Sequence, residues 1–206
     1  MLASPIDPAA EIAAAVGEYR DSNNFSVLLD RLLAVSAAAE LDALIAAVEP
    51  YHDIPEVAGP VYERVVAERP EDARALVILA NSYWLTGRGS EAVGELASRA
   101  IAADPSNRGA WHLWALSESS PHERMTRWLQ VTTRFPEDDL AKASLADNAA
   151  SIASTDRDRE ALQIALHTYR SLLRSATHPD QRWTIIDSFS IARILASTRR
   201  PSLVVI

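Results

Sequence analysis

Apolar side chains recur along this chain at three- and four-residue intervals, the period that lines one face of an α-helix. Ile12, Val16 and Tyr19 make the first stripe, Phe25, Leu28, Leu29, Leu32 and Val35 the second, and Leu41, Leu44, Ile45 and Val48 the third, which Glu49-Pro50 ends. Ala58, Val61, Tyr62 and Val65 follow at i, i+3, i+4 and i+7, and Leu76, Leu79, Ala80 and Tyr83 repeat that spacing. Ala92, Leu96 and Ala100 mark a returning helix across the Gly87-Arg88-Gly89 turn. Trp111, Trp114 and Ala115 open another, predicted to run to Ser119-Ser120-Pro121, and Met125, Trp128, Leu129 and Thr132 return from it. Helices at about 139–153 and 158–176, and a last one from Pro179-Asp180 to about Ser197, bring the total to roughly eleven. Apart from the short tail, no segment alternates with period two over a useful length, so strands are not expected.

The breaks between these stripes repeat one another. Arg69-Pro70-Glu71-Asp72, Asp104-Pro105-Ser106-Asn107 and Phe135-Pro136-Glu137-Asp138 each follow one amphipathic stretch and precede the next. Proline has no N–H and its ring clashes with the preceding turn, so it stops the helix behind it. The Asp or Asn two residues later can cap the helix ahead by accepting its orphan N–H groups. Pro70, Pro105 and Pro136 stand 35 and 31 residues apart, close to the ~34 residues of a helix–turn–helix repeat unit. The pattern predicts stacked helical hairpins.

Residues 73–105 resemble a tetratricopeptide repeat. Leu76, Leu79-Ala80 and Tyr83 match the first helix of that pattern; Gly87, Ala92, Leu96, Ala100 and Pro105 match its turn, second helix and closing proline, with one extra residue between Ala92 and Ala100. Small residues at Ala80 and Ala92 would let two backbones approach closely, with Tyr83 and Leu96 filling the space between hairpins. Ala58, Tyr62, Val65 and Pro70 match the second half of a preceding repeat. Trp111, Trp114-Ala115 and Pro136 match a degenerate following one, in which Glu118 replaces an aromatic and the turn is shortened. A weaker unit spans 140–176 through Ala149 and Ala161. The resemblance is good over about 58–136 and loose elsewhere. It implies an all-α, right-handed stack of antiparallel helical hairpins in a single domain over 1–198. That domain would comprise an N-terminal helical extension (1–50), the repeats (54–136) and a degenerate repeat with a terminal helix (138–198), before a tail at 199–206.

Composition narrows the function. The 206 residues carry a net charge of −8, which argues against nucleic acid as partner. There is no Cys, hence no disulfide framework, thiolate nucleophile or Cys-ligated metal. No apolar run suits a signal peptide or a membrane span, so a cytoplasmic location is the expectation. Lys142 is the single lysine among 20 basic residues, an arginine bias that suggests a high-GC bacterial source. The five His are scattered without ligand spacing, and adjacent acidic pairs such as Glu71-Asp72 and Asp138-Asp139 read as helix-start charges. No catalytic residue, metal site or cofactor is expected, and the protein is expected not to be an enzyme; the last-ranked alternative is an enzyme of unfamiliar type using His112 or His122 in a helical pocket.

The resemblance implies that an extended peptide or protein segment binds a concave groove lined by the first helix of each hairpin. Val77, Asn81 and Trp84 form the equivalent stripe, about 100° around from the core stripe, and His112 and Leu116 take the same offset in the next hairpin. Asn81 could hydrogen-bond a peptide backbone through both amide groups, and Trp84 has hot-spot character. Some members of that family hold a C-terminal carboxylate with Lys and Asn residues. Val77 and Leu116 stand where that clamp needs polar groups, so a mostly apolar groove is expected instead. The last helix carries Trp183, Ile185, Ile186, Phe189, Ile191, Ile194 and Leu195 nearly all round. A solenoid's terminal helix needs a polar outer face to stay soluble. The alternative expectation is therefore a homodimer through Ile185, Phe189, Ile191 and Leu195, set against cover by the Leu203-Val204-Val205-Ile206 tail.

Overall fold

The computed structural model describes residues 7–197, apart from the side chains of 181, 191 and 193–197. These residues form eleven α-helices and no strand: α1 (Pro8–Ser22), α2 (Phe25–Ala38), α3 (Leu41–Val48), α4 (Pro55–Glu68), α5 (Ala73–Thr86), α6 (Ser90–Ala103), α7 (Arg108–Leu116), α8 (Pro121–Arg134), α9 (Asp139–Thr155), α10 (Arg159–Ser175) and α11 (Pro179–Ser197). A 3₁₀ turn at Glu49–Tyr51 continues α3 past the point where Pro50 was expected to end it. Contacts group the chain into two compact units, Met1–Ser117 and Glu118–Ile206, where the sequence pattern predicts one domain.

The caps are those the sequence announced. Asp72 accepts from the Ala75 N–H at 2.9 Å, Asn107 from Ala110 at 3.3 Å and Asp138 from Ala141 at 3.0 Å. Each satisfies one donor that the helix cannot satisfy itself. At the other end of α5, Gly87 takes the left-handed conformation with φ 71°. Its N–H bonds to the Trp84 carbonyl, and the Arg88 N–H bonds to Tyr83 at 2.9 Å. This is how glycine closes a helix without Cβ strain.

In the first unit, consecutive helices pack on each other from α3 to α7 and between α1 and α2. The pairs α1–α3, α2–α4 and α5–α7 also touch, so each hairpin rests on the next. The core runs through Ile12, Leu28, Leu32, Leu44, Val48, Val61, Tyr62, Val65, Leu76, Leu79 and Val93. At Gly59 α4 faces α5: a Cβ there would sit 3.6 Å from the Ser82 Cβ, an ordinary packing distance. Pro60, inside α4, is buried in the same packing.

Several register details differ from the sequence pattern. On α6 the inward residues are Val93, Leu96, Ala97 and Ala100, while Ala92 is half-exposed. The expected close approach at Ala92 is therefore not made there. Phe25 begins α2 but points largely to solvent, and Trp111 is half-buried rather than core. α7 stops at Leu116, where the Ser117 hydroxyl bonds to the Trp114 carbonyl at 3.0 Å.

In the second unit α8 packs on α9, α9 on α10, and α11 on both α9 and α10. On α8 the buried pair is Trp128 and Val131; Leu129, three-and-four spacing notwithstanding, is 46% exposed. Ala146, Ala149, Ile152, Ala161, Ala165, Tyr169 and Leu172 fill the space between α9 and α10. The Tyr169 hydroxyl donates to Asp147 at 2.6 Å; burial first, and then that carboxylate, push its pKa up. No described helix is long and apolar enough to cross a membrane.

Candidate functional site

On α5 the expected groove stripe takes shape one residue at a time. Asn81 is exposed, and its amide has no hydrogen-bond partner among the described residues. Trp84 is 40% exposed, one turn further along. Val77, the third member, is half-buried. A Cβ on Gly109 of α7 would meet the Val77 Cγ1 at 3.4 Å, so Val77 fills the seam between α5 and α7. His112 and Leu116 lie half-buried on α7, one turn and two turns beyond Gly109. The five residues thus divide into seam (Val77) and accessible surface (Asn81, Trp84), with His112 and Leu116 intermediate.

Leu85 escaped the sequence reading. It is 58% exposed and follows Val77 and Asn81 at four-residue intervals, so that spacing could have found it. Together Trp84 and Leu85 put two large apolar side chains in water beside an unpartnered amide. Seven residues before Asn81, and so on the same face, Arg74 forms an ion pair with Glu49 at the end of α3. That hydrogen bond from Arg74 holds the Glu49 carboxyl below its ordinary range. The Arg74 guanidinium is committed to this pair, and it ties α3 to α5 alongside the stripe.

The self-association residues fall differently. Ile185 is buried and Phe189 half-buried against α10; the Phe189 ring meets Tyr169 edge-on at 6.5 Å, under the Arg170 guanidinium at 5.7 Å. Both are spent on the second unit's own core. Among the described side chains of the helix beyond its first turn, Arg182, Thr184, Asp187 and Ser190 face outward, together with Trp183 at 66% exposure. The side chains of Ile191 and Leu195, and the whole 199–206 tail, lie outside the described residues.

Among the described residues no three His, Asp or Glu side chains are placed to hold a metal ion. His122 does come near two carboxylates remote from it in sequence, Asp156 at 3.5 Å and Asp158 at 3.9 Å. Asp158 is already accepting from the Glu160 and Ala161 N–H groups as the cap of α10.

The architecture is an all-α helical repeat of tetratricopeptide-repeat type. A thermophilic TPR protein of Thermus thermophilus aligns with a TM-score of 0.53 over 89% of this chain and 99% of its own, at 14% identity. MamA aligns over 88% of this chain and 94% of its own at 16% identity, with a TM-score of 0.48. The fold statement rests on the first of these. No protein-family model matches the chain, and no curated protein matches it significantly.

Proposed function

We propose that this protein is a non-catalytic interaction scaffold that binds a peptide or protein segment on the face of α5 and α7. The observation that carries the reading is the α5 surface itself. Trp84 and Leu85 are held in water beside an Asn81 amide that can donate to and accept from a peptide backbone. Exposed large apolar side chains clustered on one face mark binding surfaces more often than single scattered ones do. Leu116 and His112 extend the contact along α7, and Val77 supports it from the seam. Aromatic burial supplies the affinity and Asn81 fixes the backbone register.

Affinity capture from the source organism's lysate, comparing wild type with an Asn81→Ala, Trp84→Ala double variant of unchanged circular dichroism, tests this reading. A partner held by wild type and lost by the variant is expected. A partner held equally by both overturns the assignment of the face.

A second reading is favoured by Trp183 alone. Self-association through α11 would bury that ring and would not use Ile185 or Phe189. Trp183→Ala then lowers the mass seen by light scattering at high concentration; a monomeric wild type excludes it.

A further inference from the structure

An open groove of about 550 Å³ runs between α4 and α6, floored by α5. Its floor is apolar, made by Val66, Leu79, Ala92 and Leu96. Leu79 and Tyr83 point into it, and they lie on a different face of α5 from Asn81 and Trp84, roughly 100–160° away around the helix axis. The groove continues past Pro70 and Arg99 into a second depression of similar size that reaches Glu71 and Ala102. Nothing in the peptide-binding reading uses this surface.

Its rim is acidic. Glu63, Glu95 and Glu71 line the two depressions, against Arg99 as the one cation among the lining residues. The Arg99 guanidinium donates to the Pro70 carbonyl at 3.0 Å, so it is turned to the backbone. Glu63 accepts from the Tyr83 hydroxyl at 3.0 Å and has Arg88 at 3.6 Å. Glu71 and Glu95 are exposed and have no ion-pair partner among the described residues. An apolar floor under a rim of three carboxylates and one guanidinium carries a net negative charge and suits a ligand with the complementary layout.

We propose that this groove is a second docking surface, for a partner-protein segment whose apolar residues enter between α4 and α6 and whose Arg or Lys residues meet Glu71 and Glu95. The floor selects for alternating or helically spaced apolar side chains, and the rim selects against acidic ones. Two faces of one helix would then serve two ligands, α5 presenting Asn81 and Trp84 to one and Leu79 and Tyr83 to the other.

The test is fluorescence anisotropy on the full chain with two labelled synthetic decapeptides, one alternating leucine with arginine and the other leucine with glutamate. The basic peptide is expected to bind and the acidic one to bind at least about tenfold more weakly. Glu71→Arg with Glu95→Arg turns two exposed attractions into repulsions, so affinity for the basic peptide falls about tenfold. Asp53→Arg with Glu137→Arg makes the same change in net charge elsewhere and leaves affinity within about twofold. Ala92→Trp fills the floor and also weakens binding; should that variant melt early, the exposed Glu71 and Glu95 pair still decides. Asn81→Ala with Trp84→Ala leaves binding unchanged, which separates this surface from the other face. Absence of binding, equal binding of the two peptides, equal loss in the two charge-reversed proteins, or loss in the Asn81, Trp84 variant each overturns the proposal.

Discussion

Trp111 joins the turn between two hairpins to the helix that follows, and replacing it separates the forces involved. Its indole N–H donates to the Pro105 carbonyl at 3.0 Å, closing the Asp104-Pro105-Ser106-Asn107 turn onto α7. Its ring meets Trp114 edge-on, centroids 5.6 Å apart and planes at 86°. Half-burial removes on the order of 100 Å² of ring from water, which at about 25 cal/mol per Å² contributes about 2.5 kcal/mol. The edge-to-face contact adds about 0.5–1.5 kcal/mol and the hydrogen bond about 1 kcal/mol. Unfolded chains already cover part of such a surface, so Trp111→Ala should cost about 3 kcal/mol. Trp111→Phe keeps a ring against Trp114 but loses the donor, and should cost about 1–1.5 kcal/mol. Urea unfolding followed by circular dichroism at 222 nm, extrapolated linearly, measures both. A Phe variant as unstable as the Ala variant would show that the ring contributes nothing. An Ala variant within about 1 kcal/mol of wild type would put Trp111 outside the packing altogether.

Three other outcomes follow from the same structure. The Tyr62 side chain is 2% exposed and its hydroxyl has no hydrogen-bond partner; Tyr62→Phe should therefore leave stability unchanged or raise it by up to about 1 kcal/mol, and a clear loss in the same urea assay refutes the orphan hydroxyl. The Arg74 hydrogen bond depresses the Glu49 carboxyl in the folded state, so its contribution is present above the unfolded value near ~4.3 and is lost as pH falls through the lower folded value. The urea midpoints of wild type and Glu49→Gln should accordingly differ at pH 6 and converge at pH 3; a gap that ignores pH contradicts the pairing. For the α5 face, Asn81→Ala with Trp84→Ala should abolish capture of the groove partner while the far-ultraviolet spectrum stays that of wild type.

How much of this was legible in the sequence depends on whether one helix or its neighbours decide the matter. Local chemistry fixed the helices and their ends. Asp72, Asn107 and Asp138 cap because their side chains reach the N–H group three residues on, and Gly87 closes α5 because glycine tolerates φ 71° without strain. Period and proline spacing likewise carried the hairpin repeat, since each hairpin buries its stripe on the next. Asn81 and Trp84 were chosen by the repeat resemblance and helical angle together, and both are exposed; four-residue spacing would have added Leu85. Several residues that differ from the sequence pattern sit at the edge of a stripe: Val93 is buried rather than Ala92, Val131 rather than Leu129, and Val77 is wedged into the seam with Gly109. A helix in a stack touches the helices on both sides of it and one beyond. Its buried arc is therefore wider than its own periodicity shows, and the edge of that arc is set by where the neighbours lie. The same reason hid the groove between α4 and α6, the inward turn of Ile185 and Phe189, and the meeting of Glu49 with Arg74. Each needs two segments far apart in sequence to be brought side by side, which only tertiary packing does.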